Sequence, residues 1–220
     1  MTRRAPTNAP SPPTRADRTR VIAYHKPRGL LTTHADELGR ETVYDRLRSL
    51  LTPTLAQIPW HAIGRLDQDT TGLLLFTNDG ALVHHATQPA TKVVKTYTAL
   101  AKGLLSEDTV ARLRAGVPLT GGLGTTSPAE VEITAFQAAT TWVTIRISEG
   151  KNRQIRRMLL AVGSQVIRLA RTHIGGLALD LPEDAWRLLR DDEIQSALGY
   201  TPRQIPRTAP PRRSGPGRAE

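Results

Sequence analysis

Apolar positions along this chain fall into short runs whose period changes repeatedly. Six runs, rich in β-branched and aliphatic residues, predict strands over Val21–His25, Leu73–Thr77, Val94–Ala101, Ala129–Phe136, Trp142–Ile147 and Val166–Arg171. Four stretches predict helices over Val43–Leu51, Gly80–Ala86, Glu107–Ala115 and Arg153–Val162. Asp79, Ser106 and Asn152 fit as N-caps of the last three, because a short side-chain oxygen accepts from otherwise orphaned first-turn amides. Helices lie among the strands without a regular βαβ rhythm. The pattern therefore predicts an α+β fold with a mixed, mainly antiparallel central sheet and flanking helices, in one body spanning residues 20–200.

Composition changes this picture mainly at the two ends. The 220 residues hold 30 Lys plus Arg against 20 Asp plus Glu, a formal net charge of +10. Residues 1–20 and 201–220 carry five arginines and one acid each, so +8 of that charge sits in two segments that also hold nine of the 16 prolines. Such segments lack the apolar content to order themselves, and residues 1–19 and 201–220 are expected to be disordered basic tails. A basic chain suits a polyanionic partner. Since the body is nearly balanced, its own anion-binding surface has to come from clustering.

Cysteine is absent, which excludes disulfides, thiolate catalysis and Cys-based metal sites. No run approaches the length of a membrane span and no secretory signal is visible, so a soluble cytoplasmic protein without a membrane partner is expected. No apolar seam calls for a partner chain, so a monomer is expected as well.

Three constellations carry candidate chemistry. Residues 64–72, GRLDQDTTG, precede the apolar run 73–76, so a polar loop is pinned by a buried strand. Asp67 and Asp69 suit acid–base work or, less well, a metal site, but the bare pattern favours a hairpin turn that uses Asp and Gly for its geometry. Of the six His, the only close pair is His84 and His85, adjacent and thus on different helix faces, so no metal site is expected.

In the second, residues 149–158, EGKNRQIRRM, a strand ends at a glycine and a basic helix begins. Lys151, Arg153, Arg156 and Arg157 at a helix start form an anion site, while Ile155, Leu159 and Val162 keep an apolar face on the core. In the third, period-two alternation puts Lys95 and Tyr97 on one strand face, which suits a ring for stacking a base beside a cation and equally suits a sheet-edge Tyr beside a solvated Lys. The glycine-rich stretch 120–124 lacks the features of a nucleotide-binding loop and reads as a plain loop.

Taken in order, residues 25–29 (HKPRG), 64–80 (GRLDQDTTGLLLFTNDG), 95–97 (KTY) and 149–158 (EGKNRQIRRM) resemble the RsuA/RluB/RluE-type ribosomal RNA pseudouridine synthases over roughly residues 20–190. Room for the small N-terminal RNA-binding domain of many relatives is lacking, so the chain looks like the short RluE-like branch, whose substrate is a 23S rRNA uridine. His25 stands where Asn commonly precedes Lys-Pro, and Gln68 where a basic residue often follows the Asp.

The resemblance implies a reaction without cofactor or metal, with Asp67 as the catalytic carboxylate at the sugar. Whether it attacks the sugar or removes a ribose proton is left open. By the same match Arg156 pairs with Asp67 through a charge-assisted hydrogen bond, and Tyr97 stacks on the flipped uracil and assists proton transfer. Ile155 gives apolar contact to the base. Arg65, Lys95, Lys151, Asn152, Arg153 and Arg157 bind the RNA, and Asp69 is expected to serve hydrogen bonding within its loop. The main rival is a non-catalytic rRNA-binding or ribosome-assembly protein, which has no use for a carboxylate amid an anion site. A glycoside-processing enzyme would need a second carboxylate, Asp69 or Glu149, and its sugar substrate suits the basic surface poorly.

Overall fold

The computed structural model describes residues 18–205. Within them nine strands alternate with six α-helices: β1 (Val21–Lys26), α1 (Val43–Leu50), α2 (Pro53–Ala56), β2 (His61–Ile63), β3 (Thr71–Thr77), α3 (Gly80–Thr87), β4 (Lys95–Lys102), α4 (Glu107–Ala115), β5 (Glu130–Gln137), β6 (Thr140–Ile147), α5 (Gln154–Ala161), β7 (Val166–Ile174), β8 (Leu177–Ala178), β9 (Trp186–Leu188) and α6 (Asp191–Leu198). All ten expected elements form, with ends shifted by three residues at most. Asp79 and Ser106 cap α3 and α4 through Ala81 N and Thr109 N.

The strands join in one sheet in the order β5-β6-β4-β7-β3-β1-β9, with β2 on β3 and β8 on β7. Every strand pairing among the described residues is antiparallel except β3 with β7. That parallel seam consists of two residue pairs, Thr71 with Ala170 and Gly72 with Arg171. Further along β3 the neighbour is β2, through Ile63 with Leu75 to His61 with Thr77. The sheet is thus two half-sheets joined over a short edge.

Each half has its own burial pattern. In β6 the residues alternate, with Val143, Ile145 and Ile147 buried against α4 and α5, and Thr144 and Arg146 on the open face. In β3 residues 72–77 are all buried, because α1 packs on one face of this half and α3 and α6 on the other. That double cover explains the unbroken apolar run 73–76.

The expected tails are shorter than their stated limits within the described residues. Thr19 is buried and donates from Oγ1 to Asp79 Oδ2 at 2.8 Å, and Arg203 reaches the same carboxylate through Nη2 at 2.9 Å. Arg18 and Gln204 form a β-bridge. The rest of both expected tails lies outside the described residues. No helix among the described residues is long and apolar enough to cross a membrane.

Candidate active site

The loop between β2 and β3 lies beside the seam and is held from below by residues 26–32. Lys26 has no exposed surface. Its Nζ donates to the backbone oxygens of Pro27 at 3.0 Å, Gln68 at 3.4 Å and Thr70 at 2.9 Å. Burial brings its pKa down to about 8 against the opposing pull of the Asp69 and Asp67 charges. Gly29 N donates to Gln68 O at 2.8 Å, and Thr32 Oγ1 to Leu66 O at 2.8 Å. Leu66 plugs into the core beneath, so Asp67 projects from a fixed backbone.

Two arginines of the 149–158 segment meet this loop. Arg156 Nη2 donates to Asp69 O at 3.1 Å and Thr70 Oγ1 at 3.3 Å, and lies 3.1 Å from Asp69 Oδ1. Its Nε is 3.7 Å from Asp67 Oδ2 and has no hydrogen-bond partner among the described residues. The expected charge-assisted hydrogen bond between Arg156 and Asp67 is therefore an ion pair without the bond, because the guanidinium fork is turned toward Asp69 and Thr70. Asp69 departs from expectation too. Its carboxylate faces across to Arg153 and Arg156, not into its own loop. Arg153 lies 3.5 Å from Asp67 and 3.4 Å from Asp69.

The turn into α5 differs from the predicted cap. Arg153 is left-handed (φ 49°), α5 starts at Gln154, and no side chain caps it. Asn152 is exposed in the turn. The reason is Gln154, which is buried, accepts from Lys151 N at 2.9 Å through Oε1 and donates to Glu149 Oε1 at 2.6 Å. It ties the turn to the end of β6 and leaves nothing for Asn152 to cap.

Lys151 and Arg157, both expected to bind RNA, also donate to the protein's own backbone. Arg157 Nη1 donates to Thr120 O at 2.8 Å, and Lys151 Nζ to Thr125 O. Both clamp the glycine-rich loop against α5. Glu149 is taken up by the same assembly, accepting from Ser127 N at 2.9 Å.

Between the loop and the turn that leads into α5 runs a cleft of about 440 Å³, lined by Arg65, Asp67, Lys95, Tyr97, Lys151, Arg153 and Arg171 among others. An inner pocket of about 90 Å³ adds Ile155, Gln154 and Thr70 to Asp67 and Tyr97. A third wall, residues 31–40, continues past Arg65 and Asp67. Asp67, Tyr97, Ile155, Arg65, Lys95, Lys151, Asn152 and Arg153 thus surround connected cavities, Arg156 stands behind them, and Arg157 points away. The sequence patterns do not single out Gln154 or Arg171. A polar residue facing the core side of α5 and a cation mid-strand in β7 are the available signals.

A carboxylate held among arginines thus shares a basic cleft with a tyrosine on a mixed sheet. Residues 20–161 match the family model described as RNA pseudouridylate synthase, and the chain belongs to that family. It is 40% identical over 169 residues to "Ribosomal large subunit pseudouridine synthase B" of Haemophilus influenzae, covering 76% of this chain and 45% of that protein. The protein of the same name from Escherichia coli K12 is 39% identical over 172 residues, covering 76% and 56%. The chain spans about half the length of the curated relatives it matches. Among solved structures, "Crystal structure of pseudouridylate synthase" superposes with a TM-score of 0.72 at 33% identity, covering 82% of this chain and 77% of that one. An archaeal box H/ACA Nop10–Cbf5 complex, at 19% identity and a TM-score of 0.51 over 73% of this chain and 49% of that one, shares the fold.

Proposed function

We propose that the protein isomerises a uridine of large-subunit ribosomal RNA to pseudouridine, in the cytoplasm and as a monomer. The names of the 40%-identical relatives support the ribosomal substrate, and the net charge of +10 suits RNA. In this reaction the bond from ribose C1′ to uracil N1 breaks, the base turns, and C1′ joins C5. The proton on C5 leaves and N1 gains one, so atoms balance without a further reactant.

Asp67 is the carboxylate that acts at the sugar. The observation that carries this reading is its position: it projects from a backbone locked by Lys26 and Thr32, half-buried at the junction of cleft and inner pocket. Arg153 and Arg156 stand 3.5 and 3.7 Å from it as counter-charges and offset its repulsion of the RNA phosphates. Arg156 Nε, buried 3.7 Å from Asp67 Oδ2, helps to orient the carboxylate. Tyr97 and Ile155 offer the extruded base a ring face and an apolar wall, and Tyr97 assists proton transfer at its ring carbon. Arg65, Lys95 and Lys151 line the approach for the backbone, with Asn152 and Arg153 at its edge.

The test is pseudouridine mapping by chemical labelling and primer extension across ribosomal RNA from cells with and without the gene, complemented by wild type or Asp67→Asn. One large-subunit uridine should lose its signal and regain it with wild type alone. Identical maps, with RNA binding retained, would instead make the protein a binding module.

A further inference from the structure

In the floor of the cleft, apart from the Asp67 cluster, two cations stand together without an acid among the described residues. Tyr97 of β4 and Arg171 of β7 are cross-strand partners, and Lys95 lies two residues before Tyr97 on the same face. Arg171 is 3% exposed. Its Nε donates to Leu73 O at 2.7 Å, and its Nη2 is buried without a hydrogen-bond partner among the described residues. Lys95 is half-buried, and no ion pair or hydrogen bond engages its Nζ among the described residues. Burial, and then the Arg171 charge, lower its pKa.

The carboxylates of the cleft are already committed. Asp67 faces Arg153 and Arg156, and Glu149 is bonded to Ser127 and Gln154 and faces Lys151. Two desolvated like charges with an orphaned donor are costly unless an anion completes them. The ligand must come from outside, enter an open cleft, and lie beside a tyrosine ring.

We propose that Lys95 and Arg171 form a subsite for one phosphodiester of the RNA strand, fixing the backbone next to the nucleotide that stacks on Tyr97. The assignment rests on an RNA substrate, as proposed above, and adds Arg171 as a binding residue. Phosphate contacts set register without reading sequence. A pair held by two adjacent strands of the rigid half-sheet would therefore decide which nucleotide of a bound strand reaches Asp67.

The experiment is filter binding of in vitro transcribed 23S rRNA to the full chain over a salt series, with isomerisation of the same transcript measured in parallel. Lys95→Met and Arg171→Met should each weaken binding and reduce the slope of log K against log salt by about 1. Lys102→Met, an exposed lysine at the far end of β4, should leave it unchanged. Arg171→Lys should retain the slope. A merely structural role would lower affinity without moving the slope, so unchanged slopes in both Met variants overturn the subsite. Should Arg171→Met fail to fold, Lys95→Met decides alone. If wild type makes no pseudouridine while the slopes fall as expected, the enzymatic reading fails and the phosphate subsite stands.

Discussion

Gly72 lies so close to Arg171 that a Cβ on it would stand 2.3 Å from the Arg171 carbonyl oxygen. Its φ of +110° is also one that side-chain-bearing residues rarely adopt. These two residues form half of the seam between the half-sheets, directly after the loop that carries Asp67. Gly72→Ala should cost about 3 kcal/mol or more, since strain and a backbone clash add. Gly121→Ala, left-handed but facing only the end of Arg157 at 3.4 Å, should cost about 1 kcal/mol. Urea unfolding of both variants checks the contrast, and equal losses would remove the special status of the seam.

Asp67→Asn should abolish isomerisation while leaving RNA affinity nearly unchanged, because removing a negative charge from a basic cleft does not weaken its hold on phosphate. Appreciable turnover by this variant, measured on ribosomal RNA transcripts, would end the assignment of Asp67.

Lys26 predicts opposite pH trends for activity and stability. In the folded protein it releases its proton at about pH 8, and in the unfolded chain near 10.4, as for any lysine. As pH rises through 8 the amine loses one of three donors to the loop backbone, so turnover should fall. Between these two values the unfolded chain binds more protons, so the Lys26 contribution to stability should rise with pH. Lys26→Met should turn over about 100-fold more slowly, since displacement of a catalytic group by 1 Å costs that much, and should lose the pH 8 limb. A pH–rate profile identical in variant and wild type would show that Lys26 does not hold the loop.

Asp79 is the acid that closes the domain. Burial opposes its ionisation, yet hydrogen bonds from Arg203, Tyr200 and Thr19 outweigh it and hold the carboxyl well below the usual range. Such a group stabilises fully above its unfolded pKa of about 3.9 and loses that contribution as pH falls toward the folded value. Asp79→Asn should destabilise by about 3 kcal/mol at pH 7, and the difference from wild type should shrink below pH 4. Acid titration followed by circular dichroism checks both the size and the direction.

Much of this fold is legible in the amino-acid pattern alone. Residues 140–147 alternate because one sheet face is covered, and 73–76 do not because two are. The strands the pattern misses, β2, β8 and β9, are two or three residues long and owe their existence to a neighbouring edge, and the missed helix α2 is a single turn of four residues. Helix α6, also missed, carries readable signals: three acids in its first turn, Ile194 and Leu198 four apart, and Gly199 at its end. In the site, the local spacing of Lys95 with Tyr97 is readable. The direction of each guanidinium is not, because Arg153, Arg156 and Arg157 find partners 30 to 90 residues away along the chain.

The bridge between Arg18 and Gln204, with Thr19 and Arg203 on one Asp79 carboxylate, brings the two ends of the described chain side by side. The fold is therefore a ring in all but one covalent link. A short linker from 205 to 18 would close it, and a cut at the exposed glycines 121 and 122 would reopen it as a circular permutant with the Asp67 loop and its supports from residues 26–32 left uncut.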